Sequence, residues 1–256
     1  MAYKKYKYGV IGPSPADPMS RDLILRFEHQ FKPLSETDLS AKRPPIFDQD
    51  KLGYCVMFAA TSLCLFNDKN DWDGSLTLLS QLFPGILCRQ LDGSPLDEDC
   101  GTYGRTMMKV LAKYGTCSEA LWPYKPEKFA VMPTQECFTD ARKRRIYIYQ
   151  KIMTNFDMRA CLTSSWPFLL CIPLFSSFET DEVAETGIVP MPRNGENVVG
   201  YHGVYCDGHS DKSGRFNIVN SYGKEWGNEG CFTLPYEYFD RFVLPFGMGD
   251  CWVIFK

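Results

Sequence analysis

Residues 48–66 read Asp-Gln-Asp-Lys-Leu-Gly-Tyr-Cys-Val-Met-Phe-Ala-Ala-Thr-Ser-Leu-Cys-Leu-Phe, a polar turn that delivers one cysteine onto the first turn of an apolar segment. From Cys55 on, Val56, Ala59, Ala60, Leu63 and Phe66 recur at three- and four-residue steps, and Met57, Phe58, Cys64 and Leu65 between them are apolar too. That pattern predicts a helix buried on nearly all sides. Gly53 permits a tight turn just before it, so Cys55 is expected where unpaired backbone N–H groups and the positive end of the helix dipole converge. Such a place favours the thiolate, which is the nucleophilic form. A cysteine on an apolar helix is most often a core residue, and it is the position at the helix entrance that makes Cys55 a candidate nucleophile.

A thiolate nucleophile needs a base, and the chain has three histidines, His29, His202 and His209. His209 lies in Asp207-Gly-His-Ser-Asp-Lys-Ser-Gly214, a run of turn formers that reads as a solvated hairpin tip. His29 sits in a charged N-terminal stretch and reads as surface. His202 opens the strand-like Tyr201-His-Gly-Val-Tyr-Cys206, and the next strand-like stretch, Arg215-Phe-Asn-Ile-Val-Asn220, ends on an amide. A hairpin joining the two brings Asn220 beside the His202 ring, where an amide fixes tautomer and orientation.

Asp48-Gln49…Leu52-Gly53-Tyr54-Cys55, Gly200-Tyr201-His202 and Asn220-Ser-Tyr-Gly-Lys-Glu-Trp-Gly-Asn-Glu-Gly230 resemble the three signature blocks of papain-like cysteine peptidases. The order agrees with a nucleophile followed ~130–150 residues later by His and Asn, the second gap being slightly long. Val110-Leu-Ala-Lys-Tyr-Gly115, Glu119-Ala-Leu-Trp-Pro-Tyr124 and Phe175 to Pro190 extend the similarity. Tyr8-Gly9 followed by Asp17-Pro18…Arg21-Asp22 resembles the short leader of the branch found in microbes and large DNA viruses. The resemblance covers most of residues 35–256.

It implies an α+β, two-lobe papain-like fold, with a helical first lobe, a β-barrel-like second lobe and the active site in the cleft between them. It also implies a cysteine endopeptidase that hydrolyses peptide bonds through a Cys55–His202–Asn220 triad and an acyl-enzyme, with a polypeptide substrate and neither metal nor organic cofactor. Gln49 matches the side chain that completes the oxyanion hole with the Cys55 N–H. Gly101 and Thr102 stand where the family has a glycine pair that hydrogen-bonds extended substrate, and Trp226 matches a tryptophan that keeps water off the Asn–His pair. Three tyrosines depart from the pattern. Tyr54 and Tyr201 replace smaller residues beside Cys55 and His202 and are expected to narrow the cleft or line the substrate path; Tyr222 replaces a tryptophan and retains a shielding ring. The alternatives are a catalytically silent scaffold serving as an interaction or structural component, for example of a virus particle, and an acyl transferase.

The chain of 256 residues can bury a large core, and its 45% hydrophobic and 23% charged residues are ordinary for a globular protein. A net charge of −3 gives no reason to expect nucleic acid or an anionic membrane as partner. The longest apolar stretch, Trp166 to Phe175, holds two prolines and falls far short of the ~20 residues that span a bilayer; it reads as a buried strand. No secretory signal is visible. Eleven cysteines without Cys-x-x-Cys pairs suit reduced, buried thiols rather than zinc. An intracellular, cytoplasmic or virion location is expected, with a viral or other assembly partner as a further expectation.

Along the chain, residues 1–47 carry six prolines and no periodicity, and read as an extended arm laid over a core. Residues 48–145 form the helical lobe with the nucleophile and residues 146–256 the β-rich lobe with His and Asn, one catalytic domain overall. A polar loop is expected at 67–74, a second helix over 75–83 stopped by Pro84, an acidic loop at 92–100, and a third helix capped by Thr102 and ended by Gly115. Arg142-Lys-Arg-Arg145 reads as a solvated approach to a strand over 146–152, followed by a short helix near 157–162.

Overall fold

The computed structural model describes residues 6–15, 22–68, 76–244 and 250–256. Helix α1 (Cys55–Asn67) is buried along its length from Cys55 to Phe66, as a helix apolar on every side requires. Against it lie α2 (Leu82–Asp92) and α3 (Gly104–Lys113), and α4 (Gln135–Ala141) joins the same core through Cys137 and Ala141. Seven antiparallel strands follow or flank them: β1 (Glu36–Asp38), β2 (Ile148–Lys151), β3 (Phe168–Phe175), β4 (Val198–Ser210), β5 (Arg215–Val219), β6 (Cys231–Pro235) and β7 (Asp250–Phe255). The sheet order is β2-β7-β3-β4-β5-β6, with β1 paired to β4.

The two-residue period of the strands divides the core. On β3, Leu169 and Cys171 face the cluster built on α1, while Phe168, Leu170, Ile172 and Leu174 face a second cluster. On β7, Trp252 and Ile254 join the first cluster and Cys251 and Val253 the second. The second cluster is closed by α5 (Asn155–Thr163), α6 (Asp181–Thr186) and α7 (Tyr236–Tyr238), which runs into a π-helical turn over Phe239–Val243. α5 starts where the Thr154 hydroxyl accepts the Asp157 N–H at 3.0 Å, a regular N-cap.

Three local expectations are corrected. The segment before Pro84 is not a helix: Leu79 bridges to Ser118 and α2 begins at Leu82. Pro84 sits inside the first turn, where no intrahelical N–H is needed, so it starts a helix instead of stopping one. Thr102 does not cap α3, because its hydroxyl is taken by Asp92 at 2.6 Å and Tyr103 holds the N-cap position without a side-chain bond. His209 is no solvated tip. It is a buried residue of β4, its Nδ1 paired with the Tyr236 hydroxyl at 2.8 Å, since the strand runs on to Ser210 and the turn falls at residues 211–214. His29 is exposed. Most of the expected polar loop, 69–74, and most of the leader motif, 17–21, lie outside the described residues.

α1 reaches the sheet at its N-terminal end because Gly203 on β4 has no side chain. A Cβ there would lie 2.7 Å from the Val56 Cα, closer than carbon atoms pack. This one contact sets the first residue of α1 against β4.

Candidate active site

Cys55 is the first residue of α1 and is fully buried. Its Sγ accepts the Gly203 N–H at 3.2 Å and the Gly9 N–H at 3.2 Å. Burial pushes the thiol up to about 11, opposed by those N–H groups. The helix-end environment is therefore present, but desolvation outweighs it in this closed arrangement and holds the protonated thiol.

His202 follows from the register of β4: it lies opposite Ile172 of β3, next to Gly203 and so next to the Cys55 sulfur. Its Nε2 meets Asn220 Oδ1 at 2.8 Å, just past the end of β5. The same Oδ1 accepts the Ser221 N–H at 2.8 Å. An oxygen that only accepts requires Nε2 to carry the proton, leaving Nδ1 as the basic lone pair. Nδ1 is buried without a hydrogen-bond partner. Burial lowers the ring to about 4, Asn220 pulling the other way.

Aromatic rings close over this pair. Tyr222 lies 4.9 Å from the His202 ring, tilted by 31°, and Trp226 meets Tyr222 edge to face at 5.4 Å. Tyr222 thus lies directly on the histidine, with Trp226 behind it.

Gln49 is buried, its Oε1 accepting the Ser221 hydroxyl at 2.7 Å and its Nε2 donating to the carbonyls of Leu52 at 2.8 Å and Lys7 at 2.9 Å. Ser221 thus links Asn220 to Gln49 through its backbone and its side chain. Tyr201, half-buried, packs against the cluster that contains Cys55. Tyr54 points away from the cleft, correcting the expectation that it narrows it. Its ring lies on Gly85, where a Cβ would be 2.3 Å from the ring edge, and its hydroxyl accepts from Arg89 at 2.8 Å. Glycine and arginine four residues apart on α2, a gap with a partner above it, are the signal in the sequence that places this ring.

The cleft is filled by the chain's own arm. Tyr6 stacks on Tyr222 with ring centres 3.9 Å apart and planes 4° from parallel. Lys7 places its carbonyl on Gln49 and its ammonium 2.9 Å from Asp99. Tyr8 crosses Gly200, where a Cβ would be 2.3 Å from its ring, and its hydroxyl donates to Glu179. Gly9 passes through a slot so narrow that a Cβ on it would lie 1.9 Å from the Gly53 carbonyl oxygen. Its own carbonyl accepts the Thr102 N–H at 2.9 Å, and the Ile11 N–H donates to the Thr102 carbonyl at 3.2 Å. Gly101, with φ +75°, presses against the Gly9 carbonyl, which lies 2.3 Å from where its Cβ would stand. Farther on, Ser14 N–H donates to Asp250 at 3.1 Å and Asp22 pairs with Arg105.

An amide N–H of the arm, and not a carbonyl carbon, therefore faces the sulfur. Tyr6, Asp99, Glu179, Gly203 and Ser221 lie at the site and were not singled out in the sequence, which placed Tyr8 and Gly9 in a leader and not beside the sulfur. No group of His, Cys, Asp and Glu among the described residues is placed to hold a metal, and no described helix is long and apolar enough to cross a membrane.

No family model matches the sequence. An uncharacterised peptidase C1-like protein of Acanthamoeba polyphaga mimivirus is 33% identical over 216 residues, 81% of this chain and 68% of that protein. Xylellain, a cysteine protease from Xylella fastidiosa, superposes with a TM-score of 0.85 at 28% identity, covering 99% of this chain and 97% of xylellain. A digestive procathepsin L2 proteinase of Tenebrio molitor shares the fold with a TM-score of 0.72 at 16% identity, over 97% of this chain and 78% of its own. A buried cysteine at a helix N-terminus against a histidine-bearing strand, in this fold and with this relative, identifies the chain as a member of the papain-like cysteine peptidases, in their viral and microbial branch.

Proposed function

We propose that this cysteine-type peptidase cleaves internal peptide bonds through Cys55, His202 and Asn220, with Gln49 Nε2 and the Cys55 N–H as oxyanion donors, and that residues 6–11 hold it closed. The observation that carries the reading is the hydrogen bond between His202 and Asn220, from which the tautomer of the ring follows. Its Nε2–H is fixed by Asn220 Oδ1 at 2.8 Å, while Nδ1 is bare and buried beside the sulfur's own hydrogen-bond donor, Gly203.

With the arm displaced, water returns and the desolvation that favours neutral thiol and neutral imidazole is relieved. His202 Nδ1 takes the Cys55 proton, giving a thiolate and an imidazolium. The thiolate adds to the substrate carbonyl carbon, and the oxyanion is held by Gln49 Nε2 and the Cys55 N–H. Nδ1–H then protonates the leaving amine as the C–N bond breaks, leaving a thioester. A water deprotonated by His202 attacks the thioester, releases the carboxylic acid and restores the thiol. Asn220 keeps the ring in the orientation both transfers need.

The arm supports a closed zymogen-like state over a silent scaffold. It occupies Gln49 and the sulfur through hydrogen bonds alone, and it offers no carbonyl carbon to the nucleophile, so it is not cut where it lies. A site inside a cell or a virus particle suits the eleven free thiols, ten of them buried, and the viral relative.

The test is hydrolysis of a fluorogenic peptide library by the full chain carrying Gly9→Ala, which frees the cleft. Activity is expected in that variant, absent when Cys55→Ala or His202→Ala is added and retained with His209→Ala. Activity that survives Cys55→Ala overturns the assignment.

A further inference from the structure

The basic run Arg142-Lys-Arg-Arg145 divides into two pairs. Lys143 and Arg144 both reach Asp140, at 3.5 and 2.6 Å. Arg142 and Arg145 have no ion pair or hydrogen bond among the described residues, and with Lys113, Tyr114, Gln135 and Phe138 they line a cavity of about 540 Å³. No carboxylate lines it. Lys113 Nζ lies 4.9 Å over the Tyr114 ring, and the Tyr114 and Phe138 rings meet edge to face at 6.2 Å.

Three cations in one concavity without a counter-ion run against the balance of a chain whose net charge is −3. All three are exposed, so water screens their mutual repulsion; what they offer an anion is their arrangement, three cations around one concavity with no carboxylate in its lining. The C-terminal carbonyls of α3 account for Lys113. They do not account for two guanidiniums brought from another segment. The backbone that carries them is seated on the end of α3: Gly115 takes φ +74°, and a Cβ on it would lie 2.2 Å from the Ala141 carbonyl oxygen.

We infer that this cavity binds a phosphate monoester carried on an aromatic group. A phosphate monoester brings about −1.5 to −2 charges at neutral pH, a better match to three cations than a carboxylate. The guanidinium fork binds phosphate oxygens two at a time, and the Tyr114 and Phe138 rings offer faces for the aromatic part. The volume falls within the ~300–1,000 Å³ of small-ligand sites. α3 separates the cavity from the cleft by its own length, roughly 15 Å at 1.5 Å per residue, so this site stands apart from Cys55 and does not depend on the peptidase reading.

The test is calorimetric and NMR titration of the full chain with phenyl phosphate, inorganic phosphate and benzoate, following the arginine Nε–H and Gly115 amide signals. Phenyl phosphate is expected to saturate and to bind about tenfold tighter than either comparison ligand. Arg142→Gln and Arg145→Gln are each expected to weaken it about tenfold, the loss of one charged hydrogen-bonding group. Arg144→Gln, already committed to Asp140, should change it by less than about twofold. A phosphotyrosine tripeptide titrated alongside separates the sources: tighter binding than phenyl phosphate assigns the site to a phosphorylated protein, equal binding to a small molecule. Failure to saturate, or equal damage from Arg144→Gln and Arg142→Gln, overturns the inference.

Discussion

Tyr54 and Gln49 stand five residues apart in the same turn, yet they do opposite things. Gln49 turns into the cleft and Tyr54 into the helical core. Gln49→Ala in the Gly9→Ala chain should lower kcat by about 10²–10³ with little change in KM, because one oxyanion donor is lost. Steady-state kinetics check this, and an equal fall in Cys55 labelling would point to a misplaced nucleophile instead. Tyr54→Phe removes the acceptor for a buried arginine and should cost about 1–3 kcal/mol of stability while leaving kcat/KM of the opened chain unchanged. A loss of activity without loss of stability would return Tyr54 to the cleft. That Cys55, His202, Asn220 and Gln49 come together was legible because their residue types and order match the family's signature blocks. Ser221, which ties the Asn220 amide to Gln49, was not, since a serine after an asparagine has no distinguishing pattern until the hydrogen bonds are seen.

At the scale of the element, the decisive join is α1 on β4 through Gly203. Gly203→Ala places a methyl 2.7 Å from the Val56 Cα and should destabilise by about 1–3 kcal/mol. It should also lower activity in the opened chain, because the same shift moves the sulfur from the histidine; calorimetry and kinetics read the two effects separately. Loss of stability with full activity would mean that α1 and β4 move together. α1 and β3 were read from sequence because each is apolar on every face. α2 was misread because Pro84 has two meanings, a stop inside a helix and a tolerated residue in its first turn, and periodicity before it gave the wrong one. His209 was misread for a related reason: Asp207, Gly208 and Ser210 are turn formers that here lie within a strand whose edge is covered by β1.

Across the whole molecule the arm joins the two lobes' chemistry into one closed state, and burial sets its protonation. His202 has its pKa lowered from 6.5 to about 4 by burial. Between those values an exposed histidine binds a proton that the buried one refuses, so the closed form is fully stabilised above about 6.5 and loses stability as pH falls toward about 4, by roughly 3 kcal/mol for that shift. The Cys55 thiol is raised from 9.0 to about 11, so the closed form also weakens as pH rises through that interval. Hydrogen exchange at the Gly9 amide, followed against pH, should show arm opening increase below about 6.5, and a flat profile down to 4 would show that His202 is not what titrates. An arm over a core was legible from its prolines. Its path was not, because Tyr6, Tyr8 and Gly9 are fixed by tertiary contacts with Tyr222, Glu179 and Gly53, which no local pattern encodes.

The most direct measurement is the rate at which an epoxide inhibitor of cysteine peptidases labels Cys55 in the full chain and in its Gly9→Ala variant, read by intact mass and confirmed with Cys55→Ala. The closed wild type should label slowly and the variant at least about a hundredfold faster, the ratio that roughly 2.7 kcal/mol of arm binding would produce, with a single adduct lost on Cys55→Ala. Equal rates in the two chains would show that residues 6–11 do not guard a reactive thiol, and no adduct in either would show that Cys55 and His202 do not form a nucleophile.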